Sequence, residues 1–188
     1  MLHKKRCSWC LGHPDYIHYH DTERGVPLHD ERKHFEMFIL ETMQAGLSRW
    51  TILQRREAYR KALVNFDPQI IATWGEEIVE ELMQDTTIIR NRRKIQSLLS
   101  NAKAFLTIQS EYGSFDTYIW SFTNGRVIKN SLESYSDRQI TSILSDTIAQ
   151  DMKKRGFSFI GSITVYARLQ AIGIINDHVT SCFRYEQV

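Results

Sequence analysis

The chain has 188 residues, 42% hydrophobic and 24% charged, with a formal net charge of +2 at pH 7. This length suits one globular unit with a sizeable core or two small lobes that share one. So small a net charge excludes a global basic field, and any affinity for nucleic acid must come from a local patch.

The N-terminal residues and the cysteines bear on the compartment. Residues 1–6 are positively charged, but no apolar run follows them, which argues against a secretory signal. No segment approaches the roughly 20 apolar residues that a membrane helix needs. Three cysteines do not make a disulfide framework, and the odd number leaves at least one thiol unpaired. We therefore expect a cytoplasmic protein, in which cysteines bind metal or carry out chemistry.

Apolar residues in the first part of the chain recur at helical rather than strand spacing. The pattern predicts a helix that Asp30 caps and that ends near Gly46, and a second helix over about 50–63. Gly75 is expected to open a helix whose acidic first turn suits the positive end of the helix dipole. A long amphipathic helix over about 95–106 follows.

The second part of the chain continues this pattern. Ser136 is expected to cap a helix whose basic last turn and following Gly156 form a stop signal. Asn176 or Asp177 is expected to cap a last short turn. Strand signals are weak, and residues 127–128 form at most a short extended piece. The predicted fold class is all-α.

Cysteine and histidine residues occur near both ends of the chain. Two of them, His178 and Cys182, are four residues apart, a spacing that places both on one face of a helix. Together with Cys7 and His20 they offer two sulfur and two nitrogen ligands, which suit a structural zinc site. Such a site would tie together two ends that otherwise fray. A rival set, in which Cys10 replaces His20, offers three sulfur ligands and one nitrogen ligand and stays open.

Six blocks of residues, in order along almost the whole chain, carry a resemblance to a known family. They read RCxW at 6–9, YIxYHDxExGVP at 16–27, LExxQAGLS at 40–48, IIRNRxKI at 88–95, KRGFxFIG at 154–161 and NDHxxxC at 176–182. The chain thereby resembles the DNA-3-methyladenine glycosylase I family, helix-hairpin-helix DNA glycosylases that carry a structural zinc.

The resemblance implies a helix-hairpin-helix glycosylase fold, a single domain of two small helical lobes over residues 1–188. The helix-hairpin-helix element would lie at about 76–106. The resemblance also implies that one structural Zn²⁺ per chain is held by Cys7, His20, His178 and Cys182. Segments 7–20 and 178–182 would then form a zinc staple that joins the termini, and Cys10 becomes a bystander.

The activity that the resemblance implies is hydrolysis of the bond between an alkylated purine, chiefly 3-methyladenine, and deoxyribose in double-stranded DNA. The base must first rotate out of the duplex. By family position Trp9, Tyr16 and Tyr19 supply the aromatic faces of the base pocket, to which a cationic ring is attracted. Glu41 supplies the acceptor for the exocyclic amine and is the candidate catalytic residue. The resemblance also implies a monomer that has no membrane as a partner.

Residues 84–95 match the hairpin and second helix of the family's DNA-binding element. In that element backbone N–H groups at a helix N-terminus hold a phosphate. Arg90, Arg92 and Lys94 are expected to add charge to this contact, which is independent of base sequence and sensitive to salt.

Four positions depart from the family's pattern, and one of them is Arg93, which stands where Gly is common. Arg24 stands where the family usually has Trp, and Arg49 stands where a Trp helps to line the pocket. Trp50 is one residue further on, where a helical side chain is turned by roughly 100°. Thr87 stands where the hairpin tends to have Gly, and a Thr suits a left-handed turn position poorly.

Arg49 bears most directly on the function, because an arginine near Glu41 can pair with it and repel a cationic base. A guanidinium can also stack on a base. These departures leave two alternatives to an active enzyme open. One is a catalytically weak or inactive protein that binds lesions without turnover, and the other is a zinc-stapled module that binds a partner other than DNA.

Overall fold

The computed structural model describes residues 4–188 and consists of helices with one pair of very short strands. The predicted all-α class is therefore confirmed. The prediction for the positively charged residues 1–6 includes residues 1–3, which lie outside the described residues. Within residues 4–188, no helix has the length and apolarity to cross a membrane.

Ten α-helices follow one another over residues 4–188. The first five are α1 (Pro14–Thr22), α2 (Glu31–Gln44), α3 (Arg49–Leu53), α4 (Arg56–Ala62) and α5 (Pro68–Ile71). The last five are α6 (Glu76–Gln84), α7 (Arg92–Tyr112), α8 (Phe115–Ser121), α9 (Ile143–Lys154) and α10 (Ser162–Ala171). Single 3₁₀ turns cover Ser8–Cys10, Val64–Phe66 and Tyr135–Asp137.

The helix α2 lies at the centre of the core. Asp30 caps it as predicted, because its side chain accepts the Lys33 N–H at 2.8 Å. Residues 34–43 are all buried, as in a helix that packs on every side. Its neighbours are α3, α7, α8 and α10. A side chain on α2, such as Glu41, is therefore held by a rigid element.

The helix predicted over about 50–63 is two helices, α3 and α4. The guanidinium of Arg55 donates to the Thr51 carbonyl at 3.0 Å, which is the acceptor that a continuous helix would offer to the Arg55 N–H. The Arg55 N–H turns instead to the Ile52 carbonyl. The chain therefore bends between the two helices.

The start predicted for α9 was wrong, and its end was right. Ser142 caps the helix by accepting the Ser145 N–H, whereas Ser136 lies in the 3₁₀ turn before it. Ile140, which was predicted to lie on the buried helical face, is 56% exposed and outside the helix. The helix ends in a basic turn before Gly156, which has φ +94°.

Two short strands bring distant parts of the chain together. The strand β1 (Ile128–Lys129) pairs in parallel with β2 (Ile175–Asn176), and a further bridge joins Leu132 to Val179. The extended piece predicted at 127–128 is thus present, shifted by one residue, while β2 was not predicted. The pairing holds the segment after β2 in an extended form.

Candidate functional site

Four side chains from the two ends of the chain converge in a metal cluster, which consists of Cys7, His20, His178 and Cys182. All four are buried, and their ligand atoms lie within 4.8 Å of one another. The Cys182 Sγ lies 3.4 Å from His20 Nε2 and 3.7 Å from His178 Nδ1. Two ligands of one tetrahedral zinc ion lie about 3.3–3.8 Å apart, so the donors present fit this ion.

The histidines of the metal cluster are oriented from outside. The Nδ1 of His20 lies 2.8 Å from the Asp21 carboxylate, and the Nε2 of His178 lies 3.1 Å from the Arg24 carbonyl oxygen. When these outer nitrogens donate, each inner nitrogen keeps a lone pair for a metal. Gly25, at φ +77°, leaves room for this arrangement, because a Cβ there would lie 3.1 Å from the His178 Nε2.

The thiols of the metal cluster are not equivalent. The hydrogen bond from the Cys7 thiol lowers the pKa of Cys182, and the same bond raises the pKa of Cys7. The lowered pKa favours the thiolate of Cys182, which is the form of cysteine that binds a metal.

Cys10 lies outside the metal cluster although it is buried. Its thiol donates to the Cys7 carbonyl oxygen at 3.2 Å. The helical spacing expected for His178 and Cys182 was wrong, since both lie in irregular structure after β2. A turn in which the Cys182 N–H bonds the Val179 carbonyl brings the thiol back to the cluster.

Three predicted aromatic side chains form one aromatic wall, which consists of Trp9, Tyr16 and Tyr19. The ring centroids of Trp9 lie 5.0 Å from Tyr16 and 6.5 Å from Tyr19, and the two tyrosines are 6.5 Å apart. The tyrosines share a face of α1 because they are three residues apart. The Trp9 ring also lies 5.2 Å from the His20 ring, so the aromatic wall adjoins the metal cluster.

Two members of the aromatic wall, Trp9 and Tyr16, line a cleft of about 370 Å³, a size typical of sites for small molecules. Among the residues that line it are Trp9, Tyr16, Arg24, Gln44, Leu47, Arg49, Tyr135, Arg138, Ile163, Tyr166 and Gln170. Sequence reasoning did not identify Tyr135 or Arg138, which come from an irregular loop without a periodic pattern. The 6.4 Å between the rings of Tyr135 and Trp9 places this loop against the aromatic wall.

Glu41 and Tyr19 lie behind this cleft and not on its surface. Both line a separate hollow of about 20 Å³, room for about one water molecule. Arg49 lines the cleft and the hollow alike. The four predicted base-binding side chains are thus neighbours, but only Trp9 and Tyr16 line the open cleft, and Arg49 and Gln44 line both cavities.

Arg49 forms a buried ion pair with Glu41. Its Nη1 donates to Glu41 Oε1 at 2.6 Å, and its Nη2 donates to Oε2 at 3.2 Å. Its Nη1 also lies 3.2 Å from the Tyr19 hydroxyl oxygen. Burial opposes the charge on Arg49, but the Glu41 carboxylate outweighs it and raises the pKa of the guanidinium. The guanidinium of Arg49 is therefore charged in spite of its burial.

Arg24, the other departure at the cleft, and Trp50, which follows Arg49, have different surroundings. Arg24 is 8% exposed, donates to the Gln170 side-chain oxygen at 2.6 Å and lies 5.4 Å from the Trp9 ring centroid. Trp50 packs against Tyr16, with ring centroids 5.7 Å apart, and is absent from the described residues that line the cleft. Arginines therefore stand at both positions of the cleft where the family has Trp, and Trp50 does not supply the missing ring.

The predicted DNA contact lies where α6, a turn at residues 85–91 and α7 follow one another. Arg90 is exposed. Arg92 is also exposed and pairs with Glu76 at 2.9 Å and Glu80 at 2.7 Å. Surface pairs of this kind contribute little to stability and are easily exchanged for another anion.

Lys94 does not face the solvent with the arginines. It is 5% exposed, and its Nζ donates to the Met43 carbonyl at 2.8 Å and the Ala45 carbonyl at 2.6 Å. These carbonyls at the end of α2 have no partner within their own helix, so a buried ammonium satisfies them. The ammonium of Lys94 is therefore engaged inside the protein.

The predicted misfit of Thr87 was wrong. Thr87 is not among the residues with positive φ. Its backbone N–H and its hydroxyl both donate to the Asp85 side chain, at 2.8 and 2.6 Å. An Asp side chain that closes a turn in this way removes the need for glycine.

Comparisons with known proteins agree with this geometry. The model of the methyladenine glycosylase family matches residues 9–185. The chain is 43% identical over 181 residues to DNA-3-methyladenine glycosylase 1 of Escherichia coli (strain K12), which covers 96% of this chain and 97% of that protein.

Solved structures are similar over the same extent. A crystal structure of a 3-methyladenine DNA glycosylase I superposes with a TM-score of 0.92 at 46% identity, covering 95% of this chain and 98% of the other. A variant of a 3-methyladenine DNA glycosylase I, solved in complex with 3-methyladenine, also gives a TM-score of 0.92, at 33% identity. It covers 95% of this chain and 96% of its own.

Proposed function

The chain belongs to the methyladenine glycosylase family, and on that premise we propose that it removes alkylated purines, chiefly 3-methyladenine, from double-stranded DNA. It is a base-excision repair enzyme that hydrolyses N-glycosidic bonds. The observation that carries the proposal is a cleft walled by Trp9 and Tyr16 with the buried carboxylate of Glu41 behind it. Aromatic faces and a carboxylate are the groups that a flat cationic base requires.

The reaction begins when the damaged nucleotide rotates out of the duplex and its base enters the cleft. The rings of Trp9 and Tyr16 face the base, and Glu41 accepts a hydrogen bond from its exocyclic amine. A carboxylate has about four acceptor positions, of which Arg49 takes two. Glu41 therefore retains acceptor capacity for the base.

Bond cleavage needs little acid catalysis in this scheme. The N-glycosidic bond of an N3-alkylated deoxyadenosine breaks with its electron pair going to the base, which leaves neutral because it was cationic. Water adds its oxygen to C1′ of the deoxyribose and loses a proton. Because Arg49 already neutralises Glu41, the proposed catalytic role of Glu41 is to hold the base by its exocyclic amine as the bond breaks.

The DNA backbone is proposed to bind at α6, the following turn and the start of α7, as a helix-hairpin-helix element within residues 76–106. Asn91 caps α7 by accepting the Lys94 N–H, and the N–H groups of the first turn before it remain for a phosphate. Arg90 and Arg92 add charge there. Lys94 is left out of this proposal because its ammonium is buried under α2.

The metal cluster is proposed to hold one structural Zn²⁺. Four protein ligands complete a tetrahedral set, so the ion would supply cross-linking of the chain ends and no reactive position. We propose a single domain over residues 1–188, since one buried cluster extends from Phe35 to Ile175. We also propose a cytoplasmic monomer, and the absence of a disulfide among Cys7, Cys10 and Cys182 agrees with the reducing cytoplasm.

The test is base release from methylated duplex DNA, measured by mass spectrometry of the free bases. The zinc-loaded protein is expected to release 3-methyladenine, and E41Q to release it about 100-fold more slowly. E57Q is the matched control, because Glu57 is an exposed carboxylate outside the cleft.

A protein that releases no methylated base would overturn the proposal. If it then bound a duplex with a stable abasic site more tightly than undamaged DNA, the lesion-binding alternative would replace it. If the affinity of the protein for DNA did not change with salt, the remaining alternative would be a zinc-stapled module that binds a partner other than DNA.

A further inference from the structure

Arg49 contributes donors to the cleft that a lone carboxylate lacks. A guanidinium has five N–H groups, and the bonds to Glu41 and to the Tyr19 hydroxyl use three of them. Arg49 is 15% exposed and lines the cleft, whereas Glu41 is 3% exposed. Two N–H groups of this cleft-lining side chain therefore have no hydrogen-bond partner within residues 4–188.

The ion pair also removes the net charge of this part of the cleft. An unpaired carboxylate favours an exocyclic amine and repels a carbonyl oxygen. A carboxylate bound to a guanidinium instead presents an acceptor and a donor side by side. The Gln44 amide, which lines both the cleft and the hollow behind it, likewise offers one acceptor and two donors.

The two purines differ in the edge that would meet this pair. Adenine presents its amine as a donor beside the N1 acceptor, whereas guanine presents the O6 acceptor beside the N1–H donor. A lone carboxylate accepts from the amine of adenine or from the N1–H of guanine, but it offers no donor to guanine O6. A paired carboxylate and guanidinium complement both, and guanidinium donation to guanine O6 is a frequent contact in protein–DNA recognition.

We propose that Arg49 is a specificity-determining residue that extends the substrates of this enzyme to N7-alkylated guanine. The proposal rests on the proposed function, since it requires an active glycosylase. An N7-alkylated deoxyguanosine is cationic, as the alkylated adenine is, and retains its O6, N1–H and amine. Its glycosidic bond breaks by the same route, with the electron pair going to the base and water adding to C1′.

The experiment measures 3-methyladenine and 7-methylguanine released from one sample of methylated duplex DNA, after subtraction of release without enzyme. The wild-type protein is expected to release both bases. R49Q is expected to lower the ratio of 7-methylguanine to 3-methyladenine release about tenfold, because it removes a charge-assisted donor. R55Q is the matched control, since Arg55 bonds the Thr51 carbonyl away from the cleft.

A second measurement covers the case in which R49Q does not fold. Free 7-methylguanine and free 3-methyladenine are titrated separately into wild-type protein, and both are expected to bind. Release of 3-methyladenine alone, or binding of 3-methyladenine alone, overturns the role of Arg49 and leaves the proposed function standing. A release ratio that R49Q does not change also overturns it, and release of neither base removes the proposed function itself.

Discussion

The metal cluster and the cleft are neighbours that handle buried charge in opposite ways. Trp9 touches both, with its ring 5.2 Å from His20 and 5.0 Å from Tyr16. In the metal cluster, thiol and imidazole ligands converge on a point that a cation from solution can occupy. In the cleft, Glu41 is already bound to a cation of the chain itself, Arg49.

The difference teaches how each region responds to change. A metal ion taken up from solution is lost when one of its ligands is removed. Arg49 is part of the chain, so it stays and becomes an unpaired charge when Glu41 is removed. A tethered cation also keeps its place when substrate arrives, so the substrate must bind beside it. The stability of the chain ends should therefore follow the metal concentration, and that of the cleft should not.

The largest effect is expected from a change in the metal cluster. C182S removes one of four ligands, and loss of the ion should lower the free energy of unfolding by on the order of 5 kcal/mol. Metal content and urea unfolding are measured together. C10S is the control and should retain the metal, since Cys10 only donates to a carbonyl. Full metal content in C182S would contradict the proposed ligand set.

The next largest effect is expected at the ion pair of the cleft. E41Q strands the buried Arg49, which should cost about 3–5 kcal/mol of unfolding free energy while the metal content stays unchanged. The double variant E41Q/R49Q should recover part of this loss, because no buried charge is then left unpaired. If the loss of unfolding free energy in the double variant equalled the sum of the losses in E41Q and R49Q, Glu41 and Arg49 would not be coupled.

Lowering the pH adds a further test of this comparison, because His34, which belongs to neither the metal cluster nor the cleft, also responds to pH. Burial lowers the pKa of His34 to about 4, with the nearby Arg168 acting in the same direction. The folded protein then binds a proton less readily than the unfolded chain, whose histidine has a pKa of about 6.5. Stability is therefore present above pH 6.5 and is lost as the pH falls towards 4, by about 3 kcal/mol.

Urea unfolding at several pH values measures this loss. H34Q should lack this part of the pH dependence, and the remainder then belongs to the metal cluster and the carboxylates. Identical pH profiles for the wild-type protein and H34Q would contradict the prediction.

The smallest effect is expected at the proposed DNA contact. R90Q should leave the free energy of unfolding within about 0.5 kcal/mol, since Arg90 is exposed. It should weaken DNA binding and reduce the slope of log affinity against log salt by about one. K103Q, a change at an exposed lysine further along α7, serves as the control. An unchanged salt slope in R90Q would remove Arg90 from the contact.

The sequence predicted the helical fold, and the family resemblance identified the members of the metal cluster, because residue type and spacing alone left Cys10 as a rival to His20. Its physical reason for pairing His178 with Cys182 was wrong, since a turn and not a helix brings them together. The burial of Lys94 could not be predicted, because charged residues are seldom buried and its partners are the open carbonyls of another helix.

The cleft was predicted only in part. The aromatic wall follows from residues close in sequence, but Tyr135 and Arg138 come from a loop that has no apolar period. Whether Arg49 would meet Glu41 depended on the bend from α2 into α3, which a helical pattern does not specify. Local pattern thus identified helices, and tertiary contacts decided which charges meet.

The central claim is that a flipped alkylated base is held between the aromatic wall and Glu41, and a crystal structure with free 3-methyladenine tests it most directly. We predict the base in the cleft beside Trp9 and Tyr16, with its exocyclic amine within 3.2 Å or so of a Glu41 oxygen, about the limit of a hydrogen bond. A base bound elsewhere, or one whose amine does not contact Glu41, would contradict the account.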